Sequence, residues 1–163
     1  MEDGIITREY VKEDLNAMLD IFNDFAVESF SVYCEEKLNS EQFKSILDKA
    51  RIKLVLHTDE KVIGFGFVSS YKPYSNFNGT GVLTYFILPE YTGKGLGKKL
   101  CNELISKSEE LGITNFLAHV SSKNSQSLNF HKKLGFIEVG RFKEVYTKFN
   151  EPLDVVWFQK QLN

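Results

Sequence analysis

The chain is poor in the residues that would replace or interrupt a hydrophobic core: it has two cysteines, three prolines and one tryptophan in 163 residues. Cys34 and Cys101 stand far apart with no CxxC spacing, so neither a disulfide framework nor a zinc ribbon is expected. The histidines, His57, His119 and His131, are scattered, with no HExxH pair, and no metal site is expected from them. No apolar run approaches the roughly 18 residues that a membrane-spanning helix needs. Charge of one sign is also missing. The 20 basic and 22 acidic residues leave a net charge of −2, which gives no global attraction to nucleic acid or to an anionic membrane. The acidic start, residues 1–4, lacks the apolar stretch of a signal peptide, so the cytoplasm is the expected location. No repeat, linker or low-complexity segment interrupts the chain.

What is present is ordinary for a folded protein, with 42% apolar and 26% charged residues, and this excludes a disordered or fibrous chain. Aromatic residues are plentiful, with 14 Phe and 7 Tyr. The length suits one domain over residues 1–163, with a core that needs no staples.

Hydrophobic periodicity predicts the elements. A weak strand covers 4–7. From Glu13 a helical stripe follows through Leu15, Met18, Leu19, Phe22 and Phe25. Residues 27–38 have no clean period. A second helix starts at Asn39 or Ser40, with Asn39 as cap and Gln42 at the capping-box position. Strands at 52–57 and 62–69 flank a turn at 58–61. Residues 71–81 form a long loop, and long loops in compact domains are often functional. A continuous apolar run at 82–88 reads as a central strand that Pro89 stops. A helix with Leu96, Leu100, Leu104 and Ile105 on one stripe ends at Gly112. A strand at 115–120, a short capped helix at 124–134 and two strands at 136–149 and 153–161, around a turn at 150–152, complete an α+β order with a mixed, mostly antiparallel sheet flanked by helices.

The strongest local signal is Pro89-Glu90-Tyr91-Thr92-Gly93-Lys94-Gly95-Leu96-Gly97-Lys98-Lys99-Leu100. Glycines alternate where a strand ends and a helix begins. Such a turn lets a ligand approach the backbone closely, and a helix start offers unpaired N–H groups and a positive dipole end suited to phosphate. The Walker spacing fails, because Thr92 stands at the first glycine position. The dinucleotide fingerprint fails at Lys98. The structural alternative is a tight turn with surface lysines.

A second stretch decides between them: Asn124-Ser125-Gln126-Ser127-Leu128-Asn129-Phe130-His131-Lys132-Lys133-Leu134-Gly135-Phe136. Together the two stretches resemble the GNAT superfamily of acyl-CoA-dependent N-acyltransferases, in its acyl-CoA loop and in the helix that follows one strand later. The ending Lys148-Phe149-Asn150-Glu151-Pro152-Leu153-Asp154, Tyr33 with Glu36, and Lys72-Pro73-Tyr74 are similar to the phosphinothricin and methionine-sulfoximine N-acetyltransferase branch. The resemblance implies a GNAT-type fold, acetyl-CoA as cosubstrate, no metal, and a homodimer. It implies that two strands splay apart and that the pantetheine arm pairs with backbone groups of Tyr85, Phe86 and Ile87, in the manner of an added strand. The pyrophosphate would rest on the amides of Thr92, Gly93, Lys94, Gly95, Leu96 and Gly97, with Asn124 and Ser127 also contacting the ligand. His131 would stand near the thioester sulfur as an acid for the departing thiolate, with a helix-surface histidine as the plain alternative. Tyr33, Lys72 and Tyr74 would contact the substrate, and Phe30 and Phe77 would line the acceptor pocket or belong to the core. His119 has no counterpart and reads as structural or pocket-lining.

Two departures bear on the chemistry. Thr92 replaces the usual Gln or Arg, which removes a side-chain contact and leaves the backbone cradle. Val82 stands where the branch commonly has a Glu base, so Glu36 is the remaining catalytic carboxylate expected from the resemblance, acting directly or through water. Each pKa unit above ambient pH costs about 1.4 kcal/mol to deprotonate an amine. A lysine-like amine therefore costs roughly 4–5 kcal/mol at pH 7, and a peptide α-amine about 1 kcal/mol. A weak base thus fits an α-amino or similarly low-pKa acceptor. The expected reaction is direct attack of a small-molecule amine, an amino acid or an analogue, on acetyl-CoA. The alternatives are a protein N-terminal acetyltransferase and a catalytically impaired CoA-binding module.

Overall fold

In the computed structural model, which describes residues 4–163, the acidic residues 1–3 lie outside the described part. The chain runs β1 (Ile6–Glu9), α1 (Leu15–Glu28), α2 (Ser40–Leu47), β2 (Ala50–His57), β3 (Val62–Ser70), β4 (Thr80–Ile87), α3 (Leu96–Glu109), β5 (Asn115–Ser121), α4 (Ser125–Lys133), β6 (Ile137–Lys148) and β7 (Glu151–Gln161). Short 3₁₀ turns precede α1 and flank β4. The predicted cap of α2 forms: the Asn39 side chain accepts from the Gln42 amide, and the Gln42 side chain accepts from the Asn39 amide, both at 2.9 Å.

The strands form one seven-stranded sheet in the order β1-β2-β3-β4-β5-β7-β6. All pairings are antiparallel except β4 with β5. Strand alternation gives the sheet two apolar faces. On one face Val55, Phe65, Phe67 and Phe86 pack under Met18, Phe22 and Ala26 of α1 and Phe43 and Leu47 of α2. On the other, Leu54, Leu56, Leu83, Phe116, Ala118 and Val156 pack under Leu100, Cys101, Leu104 and Ile105 of α3. Full burial of side chains such as Phe43 and Phe65 contributes about 1.5–3 kcal/mol each. α3 lies so close to β3 that a Cβ on Gly66 would come within 2.7 Å of the Leu104 side chain.

The last hairpin turns one residue earlier than its sequence suggests, and its second strand begins two residues earlier, at Glu151. Lys148 pairs with Glu151, and Phe149 and Asn150 both take positive φ, 52° and 61°, the signature of a two-residue type I′ turn. Pro152 therefore sits inside β7, opposite Thr147. That pair is a non-hydrogen-bonded one next to the turn, so the missing N–H breaks no ladder bond. In β6 the register slips between Phe142 and Tyr146, with Glu144 at φ 48°. The bulge is tied down by Asp154, which accepts from the Glu144 amide at 2.8 Å and from Arg141 at 3.2 Å. Such a bulge re-aims the residues beyond it, and here Tyr146 reaches β5, where its hydroxyl donates to Ser121 Oγ at 2.6 Å.

Candidate active site

The site is built where the sheet comes apart. β4 and β5 share three residue pairs, the last being Val82 with Leu117. Beyond it β4 pairs with β3 alone and β5 with β7 alone, so a gap opens between the strands. The Leu88 amide donates to Ile63 O at 2.9 Å. By antiparallel alternation, Phe86 and Thr84 turn their backbone groups toward β3, while Leu83, Tyr85 and Ile87 turn theirs toward the gap. This corrects one expectation. Phe86 offers no backbone group to a ligand in the gap, because its ladder bonds belong to Phe65 and its ring is buried against α1.

At the end of β4 the chain makes a 3₁₀ turn at Pro89–Tyr91. Thr92 closes on this turn: its amide and its hydroxyl both donate to Pro89 O, at 3.1 and 2.8 Å. Thr92 therefore does not belong to an open cradle, which begins one residue later. Gly93 and Gly95 adopt φ of 78° and 83°, and a Cβ on either would meet nothing within 4 Å among the described residues. The first bond into α3 runs from the Lys99 amide to Gly95 O, so the amides of Gly95, Leu96, Gly97 and Lys98 have no carbonyl partner among the described residues. They are the orphan donors of a helix start, at the positive end of its dipole. Gly97 is small for a different reason: a Cβ there would stand 3.2 Å from the Phe130 ring. It lets α3 lie directly against α4.

The residues expected on α4 serve the fold. Asn124 caps the helix by accepting from the Ser127 amide at 3.1 Å, and its Nδ2 donates to Ser31 Oγ at 3.1 Å. His131 is buried, not on the helix surface. Its Nδ1 donates to Ser127 O at 2.8 Å, with Ser127 Oγ at 3.4 Å, which leaves Nε2 to accept from the Tyr85 hydroxyl at 2.5 Å. The ring lies between Tyr85 and Phe158, stacked on both. Burial lowers its pKa, with the Ser127 carbonyl acting against the shift and His119 adding to it. Both nitrogens are thus committed and the neutral form is favoured. An acid that donates a spare proton to a thiolate is not what this geometry provides.

On the sheet face that carries α1, a second cluster surrounds the gap. His119 stands on β5 two residues beyond the last β4–β5 pair. The Tyr33 hydroxyl lies 2.7 Å from its Nδ1, and the two rings stack at 5.4 Å. Tyr33 meets Tyr146 edge-on, and Trp157 tilts against His119 at 4.8 Å. From the long loop, Tyr71 packs on Trp157 and Phe77 on Tyr71. Burial alone lowers the pKa of His119 and, together with Tyr146, raises that of Tyr33.

Other expected substrate residues do not converge here. Glu36 is exposed and makes no hydrogen bond or ion pair among the described residues; its neighbour Glu35 accepts from the Phe149 amide instead. Lys72 lies over the Tyr71 ring at 5.3 Å, and Tyr74 is 65% exposed. Phe30 packs on Phe149.

The profile of the acetyltransferase (GNAT) family matches residues 15–136. The chain belongs to this family. It is 26% identical over 156 residues to the L-amino acid N-acyltransferase MnaT of Escherichia coli, across 93% of this chain and 91% of that protein. It is 27% identical over 155 residues to the L-methionine sulfoximine/L-methionine sulfone acetyltransferase of Pseudomonas aeruginosa, across 92% and 90%. The phosphinothricin acetyltransferase of Sinorhizobium meliloti, solved in complex with AcCoA, superposes with a TM-score of 0.90 at 22% identity, across 98% of this chain and 89% of that one, and shares its fold. The expected fold and the likeness to the phosphinothricin and methionine-sulfoximine enzymes both hold.

As a GNAT acetyltransferase the chain transfers acetyl from acetyl-CoA to an amine. The residues present fit that cosubstrate: a free strand edge in the gap, and open glycine positions beside unpaired amides. No group of three or more His, Cys, Asp or Glu among the described residues has the arrangement of a metal site. The sequence reading missed what surrounds His119. One signal was available, since Leu117, His119 and Ser121 alternate with the core residues Phe116, Ala118 and Val120, which turns the imidazole away from α3. Its partners could not be read locally, because Tyr33 is 86 residues distant.

Proposed function

We propose that this GNAT enzyme acts as one cytoplasmic domain that acetylates the amine of a small molecule, an amino acid or an analogue of one. Acetyl-CoA supplies an activated acetyl group as a thioester. The free backbone groups of Tyr85 and Ile87 hold its pantetheine arm by strand-like pairing. The amides at 93–97 and the α3 dipole take the pyrophosphate. The acceptor lies against Tyr33 and His119. Positioning and backbone polarisation of the carbonyl carry most of the rate. A thiol of pKa near about 8.5 leaves fairly well without a strong acid.

The observation that carries this reading is the aromatic wall on the acceptor face. Rings from the α1–α2 loop, β6, β7 and the 71–79 loop stand 4.8–6.4 Å apart around His119, which suits a small molecule better than a peptide in an open groove. The relatives named for L-amino acids and methionine sulfoximine point the same way. Free thiols at Cys34 and Cys101 suit a reducing compartment. An amine panel with acetyl-CoA, read by thiol release, is expected to give its highest kcat/KM with free L-amino acids or with methionine sulfone, methionine sulfoximine and phosphinothricin. A preference for peptide N-termini or lysine ε-amines contradicts the reading. Acetyl-CoA binding with no turnover of any amine supports an impaired module.

The enzyme is a homodimer in this proposal, and the support lies at the sheet edge. Among the described residues β6 has β7 as its one strand partner, yet Ile137, Val139, Phe142 and Val145 are 54–70% exposed. A long, apolar, uncovered edge favours association. Light scattering is expected to give twice the 18.7 kDa chain mass, and Phe142→Lys with Val145→Lys is expected to shift it to the monomer.

A further inference from the structure

We propose that His119 is the general base of the acetyl transfer, with Tyr33 fixing its orientation. The inference rests on the acceptor assignment above and names the residue that takes the proton. Val82 and Leu117 pair across parallel strands, so their side chains share a face of the sheet. His119, two residues on from Leu117, stands on that same face where the strands have parted. Val82 itself has no ionisable group, so the β4 side of the gap offers no base at this point.

The other titratable candidates are ruled out by their surroundings. His131 has both nitrogens engaged. Glu36 is exposed without a polar partner among the described residues. Burial pushes the Cys101 thiol up to about 12. His119 keeps one nitrogen open: Nδ1 meets Tyr33, and Nε2, on the far side of the ring, has no protein partner among the described residues. In the tautomer with the proton on Nδ1, that proton is donated to the Tyr33 oxygen and the Nε2 lone pair is available.

The titratable groups around the ring are Tyr33 from the α1–α2 loop and Tyr146 from β6, which meets Tyr33. Trp157 from β7 is uncharged, and His131 on α4 feels the charge of His119, with no effect of His131 resolved on His119 itself. No carboxylate or ammonium among the described residues bonds to the imidazole. The neutral ring is therefore ready to accept a proton at physiological pH, since burial already disfavours its charged form.

The step balances as follows. The neutral amine nitrogen forms a bond to the acetyl carbon while the carbon–sulfur bond breaks, and its electron pair leaves on the thiolate. The extra N–H proton passes to Nε2. The imidazolium then returns that proton to solvent or to the thiolate, and the ring is neutral again.

The test uses the wild-type enzyme with L-methionine sulfone and the amine panel. The kcat/KM profile is expected to fall on acidification through a pKa below the ordinary 6.5 of histidine, because the base must be unprotonated. The imidazole pKa of His119, followed by NMR in the protein without acetyl-CoA, should agree with that limb within about half a unit. His119→Gln is expected to lose the limb and about a hundredfold or more of kcat/KM at pH 7, with acetyl-CoA affinity unchanged. His119→Ala should regain activity on addition of imidazole. A His119→Gln enzyme that keeps the acid limb, or an NMR pKa that disagrees with it, overturns the base and leaves the acetyltransferase reading standing. Should both variants fail to fold, the wild-type comparison of NMR and kinetics decides alone. Absence of thiol release from wild type with every amine overturns both.

Discussion

Gly95→Val is expected to raise the acetyl-CoA dissociation constant by about a hundredfold, measured by titration calorimetry, equivalent to about 2.7 kcal/mol. Gly95 sits at φ 83°, immediately before α3, and no described residue comes within 4 Å of the space in front of it. A β-branched residue resists this conformation at a cost of about 1–3 kcal/mol. It relaxes either by turning the backbone, which swings the amides at 95–98 away from their common direction, or by staying strained with its branch in the ligand's space. Gly95→Asn separates the two effects. Asparagine visits the left-handed region more readily, so its loss is expected to stay below about tenfold. Valine binding within threefold of wild type would place the pyrophosphate elsewhere.

The largest effect on stability is expected from Lys148→Met. Lys148 is fully buried and forms no ion pair among the described residues; burial lowers its pKa, while Cys34 and Glu35 act against that shift. Its Nζ donates to Ala26 O at 2.7 Å and Val32 O at 2.6 Å, and lies over the Phe149 ring. Ala26 is in the last turn of α1, whose carbonyls lack helical partners and carry the negative end of the dipole. The ammonium thus caps that helix and ties the Val32 carbonyl beside it. Methionine keeps the volume and removes the desolvation cost of the charge, but leaves two buried acceptors unsatisfied at about 1–3 kcal/mol each. A net loss of about 2–4 kcal/mol is expected. That lowers Tm by roughly 5–15 °C for a chain of this size. Because Val32 adjoins Tyr33, the acceptor KM should rise even below the new Tm. An unchanged Tm would show that the buried charge costs as much as its two bonds return.

The contrast between these residues shows what the sequence could disclose. Glycines 93 and 95, the Asn39–Gln42 box and the Asn124 cap obey rules that act within four residues, and the linear order displays them. The succession of strands and helices along the chain followed from hydrophobic runs and turns, whereas their order in the sheet did not. Lys148, by contrast, read as part of an ending shared with a branch, and its contacts with Ala26 and Val32 span 122 and 116 residues. The orientation of Phe86 depends on which of two hydrogen-bonding phases β4 adopts against β3. The reach of Tyr146 to Ser121 depends on a bulge that the residues at 140–144 do not announce. His131 was legible as a motif member, but its commitment to Tyr85 and Ser127 was not, because one partner lies on another element.

The parting of β4 from β5 also divides the molecule mechanically. The β1–β4 and β5–β7 panels are joined edge to edge by three rungs at Thr80–Asn115, Gly81–Phe116 and Val82–Leu117, with α3 strapped across the back. A carrier lying in the cleft supplies the missing rungs and turns two leaves hinged at one end into a continuous plate. Occupancy therefore does more than load the enzyme. It stiffens the seam, and the free energy of that stiffening is part of the affinity itself.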